Sequence, residues 1–285
     1  MTRTETLAQT PEVYFPVRHK TPWGQILQGG IVIVLVVWIV GAFVASGVFD
    51  FATVAKYLIG PQILMGVWNT LTLATLSTAI ALVLGTIVAL MRISSNRVLS
   101  TAASVYVFIF RGTPMLVQLL IWFYAIPRMV GQVTIGIPFT DIVWVDQPAS
   151  TFFTPFVAGL FALSLAETGY MAEVIRSGIL GVDAGQRDAA KALGVPKSKV
   201  TIQIVLAQAI RIVMPATANQ YIMMIKNTSL AYTIGYMEIL LTVSRIYYAN
   251  FKYLELLLVA AFWYLVLTAV ITALQHVLER RFPAR

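Results

Sequence analysis

Long apolar segments dominate the sequence, and each is long enough to cross a lipid bilayer. About 20 apolar residues span roughly 30 Å of hydrocarbon, since a helix rises about 1.5 Å per residue. Of the 285 residues, 59% are hydrophobic and only 11% are charged, which excludes an ordinary soluble domain. The sequence therefore predicts an all-α integral membrane protein, a polytopic helical bundle of about six transmembrane helices. The predicted spans are 26–49, 67–91, 99–126, 153–175, 202–225 and 254–278.

The basic residues are distributed unevenly between the segments that connect these spans. The formal net charge is +8, and cytoplasmic loops of membrane proteins collect lysine and arginine. If the N-terminus is cytoplasmic, fourteen basic residues fall inside and five outside, which predicts that both termini are cytoplasmic. The inside residues are Arg3, Arg18, Lys20, Arg92, Arg97, Arg176, Arg187, Lys191, Lys197, Lys199, Arg211, Arg280, Arg281 and Arg285; the outside ones are Lys56, Arg128, Lys226, Arg245 and Lys252.

A short polar segment, 185–194, interrupts the apolar sequence between two spans. Asp183 is suited to cap a helix, because its side chain can accept from backbone N–H groups of the first turn. Gly194 suits the position after the helix, and Pro196 suits the first turn of the next one. The sequence predicts a helix, a sharp turn and a second helix here. The segment either docks a partner through its small residues or is an amphipathic helix that folds back on its own protein.

Four motifs resemble those of ABC importer permeases of the polar amino acid family, the histidine and glutamine type. GQRDAAKALG at 185–194 resembles the EAA loop, which forms a coupling helix that docks on the ATPase subunit; Asp188 stands where the family usually has Glu. The other motifs are RGTP at 111–114, YMAEVIRSG at 170–178 and KNTSL at 226–230, which Ile234 and Gly235 follow. The resemblance covers the chain from about Gly66 to the C-terminus.

The resemblance implies a transmembrane permease subunit of an ATP-driven importer for polar amino acids, multi-pass in the cell inner (plasma) membrane. The expected partners are an ATP-binding subunit dimer, a second permease subunit that is identical or paralogous, an extracytoplasmic amino-acid-binding protein and membrane lipid, with no nucleic acid. The sequence holds no Gly-x-x-x-x-Gly-Lys-Ser/Thr loop, so ATP and Mg are expected on the partner ATPase and neither an ATPase site nor a cofactor in this chain. His19 and His276 lack metal-ligand spacing, so no metal site is expected.

The same reasoning divides the chain into three parts. Residues 1–25 form a cytoplasmic N-terminal segment, 26–60 an extra N-terminal transmembrane helix with an external loop, and 61–285 the permease domain. The coupling loop lies at about 181–199. Its predicted coupling residues are Gly185, Gln186, Asp188, Ala189, Ala190, Leu193 and Gly194.

Polar side chains inside or beside the spans are the candidates for a substrate path. An amino acid presents a carboxylate and an ammonium group, which the donors and acceptors of Lys226, Asn227, Thr228 and Ser229 could bind. The apolar stretch 230–243 after them predicts a half-helix or re-entrant piece, or alternatively an interfacial helix.

Two ionisable residues inside the predicted spans, Glu167 and Arg111, either pair with each other or contact substrate. Because Gly112 and Pro114 follow Arg111, the helix is expected to kink there. The alternative function is a secondary amino acid transporter driven by an ion gradient, with Glu167 as the proton-coupling carboxylate.

Overall fold

The chain forms two compact units, Met1–Phe49 and Asp50–Arg285. The computed structural model describes residues 23–45, 47, 49–137, 140, 142–196 and 199–281. In the first unit, α1 covers Trp23–Ala45; its apolar helical stretch Ile26–Ile39 is shorter than a full span, so the predicted N-terminal span stays a prediction. Most of the predicted cytoplasmic segment 1–25, with His19, lies outside the described residues.

The second unit is built from long apolar helices joined by short helical pieces. Its described part contains four helices long and apolar enough to cross a membrane, or five spans if a bent helix pair counts as one. The helices are α2 Phe51–Leu58, α3 Pro61–Arg92, α4 Arg97–Gly112, α5 Met115–Val130, α6 Ala149–Phe152, α7 Pro155–Leu180, α8 Ala184–Ala192, α9 Val200–Ile234, α10 Ile239–Asn250 and α11 Tyr253–Arg281. The spans are α3, α7, α9 and α11, with the pair α4 and α5 as the fifth.

Helix α7 is the central helix of the bundle and the most buried of the spans. Glycines allow its close contact with α3, because a Cβ atom added at Gly85 would lie 2.8 Å from the Cβ of Met171 and 3.1 Å from the backbone nitrogen of Ala172. Leu73 on α3 and Leu163 on α7 are fully buried in the same hydrophobic cluster. Small residues at such crossings are what drives helix association in lipid.

The chain bends by 99° between α4 and α5, as Gly112 and Pro114 predict. Thr113 adopts extended backbone angles, which is what a residue before proline prefers. Gln118 closes the break, because its Nε2 donates to the backbone carbonyls of Phe110 at 2.9 Å and Thr113 at 3.1 Å. Backbone groups that the bend releases are thus satisfied by a buried side chain.

A small β-hairpin lies in the loop between α5 and α6, where the sequence indicated only an external loop. β1, Gln132–Gly136, pairs antiparallel with β2, Val143–Pro148, and the register is irregular after Ile135. Asp146 ties the strands by accepting from the Gln132 amide at 2.9 Å. Each strand is short, so alternation in the sequence was too brief to indicate it.

The polar residues after Lys226 do not end the fifth predicted span, which corrects the reading of the sequence. Helix α9 continues through a 3₁₀ turn over Thr228–Ile234 and stops at Gly235, whose φ of +83° is left-handed. The separate helix α10 then begins at Ile239. The apolar stretch 230–243 is therefore divided between the end of one span and the start of a short helix.

Candidate functional site

The polar loop between α7 and α9 forms the capped helix that its sequence predicts. Asp183 accepts from the backbone N–H of Gly185 at 2.6 Å, and this satisfies one free donor at the start of α8. At the other end Gly194 has a φ of +69°, and the Val195 N–H donates to the carbonyl of Ala190 at 3.0 Å. This 6→1 bond is the one that glycine-terminated helices make.

One of the predicted coupling residues faces the protein itself. Ala190 is 5% exposed and packs with Val182, Val200 and Ala209. This side of α8 is therefore covered by its own chain, and the coupling role of Ala190 stays a prediction. Leu193, in contrast, is 82% exposed. The other predicted coupling residues are also exposed: Gly185, Gln186, Asp188, Ala189 and Gly194.

Arg187 attaches α8 to the end of α7, a role that the sequence did not indicate. Its Nη2 donates to the carbonyl of Ile179 at 2.5 Å and to that of Val182 at 3.2 Å. A second link comes from the Gln208 amide, which donates to the side-chain oxygen of Gln186. An arginine in a polar loop ordinarily indicates a solvated charge, so only tertiary structure identifies this contact.

Asp188 forms an ion pair within α8. Its Oδ1 lies 3.0 Å from Nζ of Lys191, and both side chains are mostly exposed. Such i,i+3 pairs contribute only about 0.2–0.5 kcal/mol to an isolated helix. The pair therefore adds little to the stability of α8.

The predicted path residues near the end of α9 face in different directions. Lys226 is exposed, whereas Asn227 and Ser229 are half-buried. Thr228 is completely buried, and its hydroxyl donates to the carbonyl of Ile225 at 2.7 Å. Thr228 thus packs in the core rather than on an open surface, and its contact with substrate stays a prediction.

Glu167 and Arg111 do not form the ion pair that was one of the possibilities. Glu167 is 1% exposed, and its Oε1 has no hydrogen-bond partner among the described residues. Arg111 instead places its Nη1 3.9 Å from Oε1 of Glu173, with its guanidinium 5.2 Å from the centre of the Tyr170 ring. Among the described residues, no hydrogen bond or ion pair connects either residue with the polar cluster Lys226–Ser229.

Glu173 on α7 is the centre of a basic cluster to which α3, α4 and α7 each contribute an arginine. Its Oε2 lies 2.9 Å from Nη2 of Arg176. Its Oε1 contacts Arg92, the last residue of α3, and approaches Arg111. The participation of Arg92 was not predicted, because residues 81 positions apart in sequence meet only in the folded bundle.

Glu238 lies between the membrane spans and caps α10 from a fully buried position. Its carboxylate accepts from the backbone N–H groups of Leu240 at 2.8 Å and Leu241 at 2.7 Å, and from the Tyr264 hydroxyl at 2.6 Å. Burial raises the pKa of Glu238 to about 7, although these hydrogen bonds act in the opposite direction.

This carboxyl group should make stability depend on pH. Because its pKa is raised in the folded state, its stabilising contribution is complete below the unfolded value and is lost as pH rises through about 7. We expect the free energy of unfolding to fall by up to about 1.4 kcal/mol per pH unit between the unfolded pKa and about pH 7, to level off above that pH, and Glu238→Gln to remove this slope. Thermal unfolding in detergent between about pH 5 and 8.5 tests it. Asp188→Asn, which removes an exposed carboxylate, should keep the slope; a slope retained by Glu238→Gln would contradict the assignment.

Long apolar helices around a buried central helix, with a capped polar helix exposed between two spans, define a multi-pass membrane protein. The chain belongs to the family described as binding-protein-dependent transport system inner membrane component, whose model matches residues 81–283.

The chain is also similar in sequence to individual permease proteins. The chain is 36% identical over 270 residues to the arginine transport system permease protein of Corynebacterium glutamicum, covering 94% of this chain and 82% of that one. It is 34% identical over 224 residues to an arginine transport system permease protein of Bacillus subtilis, covering 79% and 94%.

Solved structures share the architecture. A chain of a structure described as an amino acid ABC transporter with histidines has a TM-score of 0.70 and 31% identity, with 82% of this chain and 99% of that chain covered. A chain of an inward-facing methionine ABC transporter has a TM-score of 0.61 at 17% identity, with 78% and 96% covered, and that likeness concerns the fold alone.

Proposed function

We propose that this chain is the permease subunit of an ATP-driven ABC importer for polar amino acids. The exposed, capped helix α8 is the observation that carries the proposal. It offers small residues and Leu193 to a partner while its other side is packed on the chain. The relatives that transport arginine support the substrate class. An importer driven by an ion gradient would have no need of such a docking helix.

The proposed partners follow from this role. An ATPase dimer would bind ATP and Mg and receive α8, and a second permease subunit, identical or paralogous, would complete the path. An extracytoplasmic binding protein would deliver the amino acid. Closure of the ATPases would draw the two docking helices together and open the path outward. In this arrangement both termini and α8 are cytoplasmic, which agrees with the excess of basic residues on that side.

We place the substrate path along the open side of the cluster at the end of α9. Lys226 supplies an exposed cation for a carboxylate, and Asn227 and Ser229 supply half-buried amide and hydroxyl groups. The Ser229 hydroxyl donates to the carbonyl of Lys226 at 2.7 Å, so its oxygen remains able to accept from an ammonium group. The contact of Glu167 with substrate stays a prediction, because the substrate could reach this buried side chain only if the helices around α7 separated.

Replacing Lys226 by glutamine should lower amino acid uptake roughly tenfold at half-saturating substrate, because a charge-assisted bond of about 1.5–3 kcal/mol is lost. Uptake is measured in proteoliposomes that contain the complete transporter and its binding protein. Lys56→Gln is the matched control, since Lys56 is also exposed and predicted external but lies on α2.

Further variants distinguish residues that contact substrate from residues that pack in the core. Ser229→Ala should alter uptake or substrate preference more mildly than Lys226→Gln. Thr228→Val should change thermal stability without changing the preference among amino acids, because this side chain is buried. Unchanged uptake and preference in both Lys226→Gln and Ser229→Ala would overturn the proposed path.

A further inference from the structure

A cavity of about 400 Å³ lies where α4 crosses the C-terminal end of α3 and the side of α7. The crossing is held by Ser100, whose hydroxyl donates to the carbonyl of Arg92 at 3.1 Å, and by the Arg92 Nε, which donates to Ser104 at 3.4 Å. The cavity lining includes Arg92, Ser104, Phe108, Arg111, Tyr170 and Glu173.

The charges around this cavity are unbalanced. Arg92, Arg111 and Arg176 surround a single carboxylate, that of Glu173. One carboxylate neutralises one guanidinium, so positive charge remains on a cavity wall in which the Arg111 side chain is 43% exposed. A partly buried cation such as Arg92, whose side chain is 25% exposed, is stabilised by an anion nearby. The described residues supply no second carboxylate to the cluster.

The surroundings indicate which anion fits. Arg92 ends an apolar span, and α4 runs across that end before the 99° bend into α5. Most exposed side chains along α4 are apolar, with Val98 at 76% and Phe108 at 79% exposure, although Arg97 and Thr101 are exposed as well. A basic cavity bordered by an apolar surface at the end of a span lies where lipid phosphates meet acyl chains. A soluble anion would gain nothing from the apolar border.

We propose that this cavity binds the phosphate group of an anionic phospholipid, with the acyl chains lying against the apolar side of α4. Arg92 and Arg111 contact the phosphate, while Glu173, which also pairs with Arg176, holds the two arginines in place. The inference assigns Arg111 to lipid rather than to the substrate path. It extends beyond the proposed transport function, and neither depends on the other.

Native mass spectrometry of the full-length chain in mild detergent tests the proposal. Phosphatidylglycerol should bind the wild-type protein more tightly than phosphatidylcholine does, and affinity should fall about fivefold for each arginine removed in Arg92→Gln and Arg111→Gln. Arg111→Lys should retain most of the affinity. Arg280→Gln is the control, since it removes an exposed arginine at the end of α11. An equal loss in Arg280→Gln would overturn the site.

A steric variant keeps the test valid if the arginine variants fail to fold. A Cβ atom at Gly112, which lines the cavity, meets nothing within 4 Å, so Gly112→Leu fills the space without removing charge. It should fold like the wild type and lose phosphatidylglycerol binding. Displacement of the lipid by millimolar inorganic phosphate would assign the cavity to a soluble anion, and displacement by a transported amino acid would assign it to the substrate path. Either result would overturn the lipid proposal.

Discussion

Leu193→Asp is expected to reduce ATP-driven amino acid uptake to background while the chain stays folded in the membrane. Leu193 is 82% exposed beside α8, so its replacement removes little packing within the chain. On the proposed ATPase partner, however, the leucine would enter an apolar contact, and truncation of such an anchor costs about 2 kcal/mol or more. A buried, unpaired carboxylate adds a further desolvation cost. Association with the ATPase should therefore weaken by at least about 30-fold.

The measurements are co-purification with the ATPase and uptake in proteoliposomes, with thermal unfolding of the isolated chain as the test of folding. Leu193→Met is the matched control, because methionine preserves apolar character and similar volume. It should retain most of the uptake. Wild-type association by Leu193→Asp would contradict the docking role of this residue.

Two neighbouring alanines provide an independent test of the same surface. Ala189 is exposed, whereas Ala190 is 5% exposed against the Val182 cluster. Ala189→Arg should impair docking with little change in thermal stability. Ala190→Arg should destabilise the loop itself, because the larger side chain overpacks a buried site and its charge is buried with it. If both variants lost association and neither lost stability, the orientation of α8 described here would be incorrect.

Local rules were sufficient to predict the form of α8 but not its orientation. Asp183 and Gly194 act through their own backbone neighbours, so their roles could be inferred from sequence. Which side of the helix is covered depends on the packing of Val200 and Ala209, and successive helical residues differ by about 100° in direction. One position in the sequence therefore separates an exposed Ala189 from a buried Ala190.

The same distinction applies inside the membrane. The bend after Gly112 was predictable because proline restricts the residue before it and removes a donor. The partner of Arg111 could not be predicted, because Glu167 and Glu173 are both carboxylates on the same helix. Only the crossing of α4 over α7 determines which of them Arg111 approaches. The burial of Thr228 could not be predicted either, because the sequence of a polar motif does not indicate which of its side chains packs in the core.

Arg187→Ala is expected to uncouple ATP hydrolysis from uptake rather than to prevent assembly. Arg187 is half-buried, and it donates to the carbonyls of Ile179 and Val182 at the end of α7. The first bond connects the docking helix with the most buried span of the bundle, and the second fixes the loop that follows that span. Each charge-assisted bond contributes about 1.5–3 kcal/mol, so their loss leaves α8 free to move without moving α7.

The expected result is a lower ratio of uptake to ATP hydrolysis rather than an overall loss of activity. The reconstituted Arg187→Ala transporter should hydrolyse ATP at a rate near that of the wild type, while uptake per ATP falls at least about tenfold, since 1.4 kcal/mol of lost coupling already corresponds to that factor. Lys191→Ala is the matched control, because it removes a cation from the same helix but only an exposed pair with Asp188. It should keep the wild-type ratio. If Arg187→Ala kept that ratio as well, movement of α8 would reach the bundle through another contact, of which the Gln208 bond to Gln186 is the next candidate.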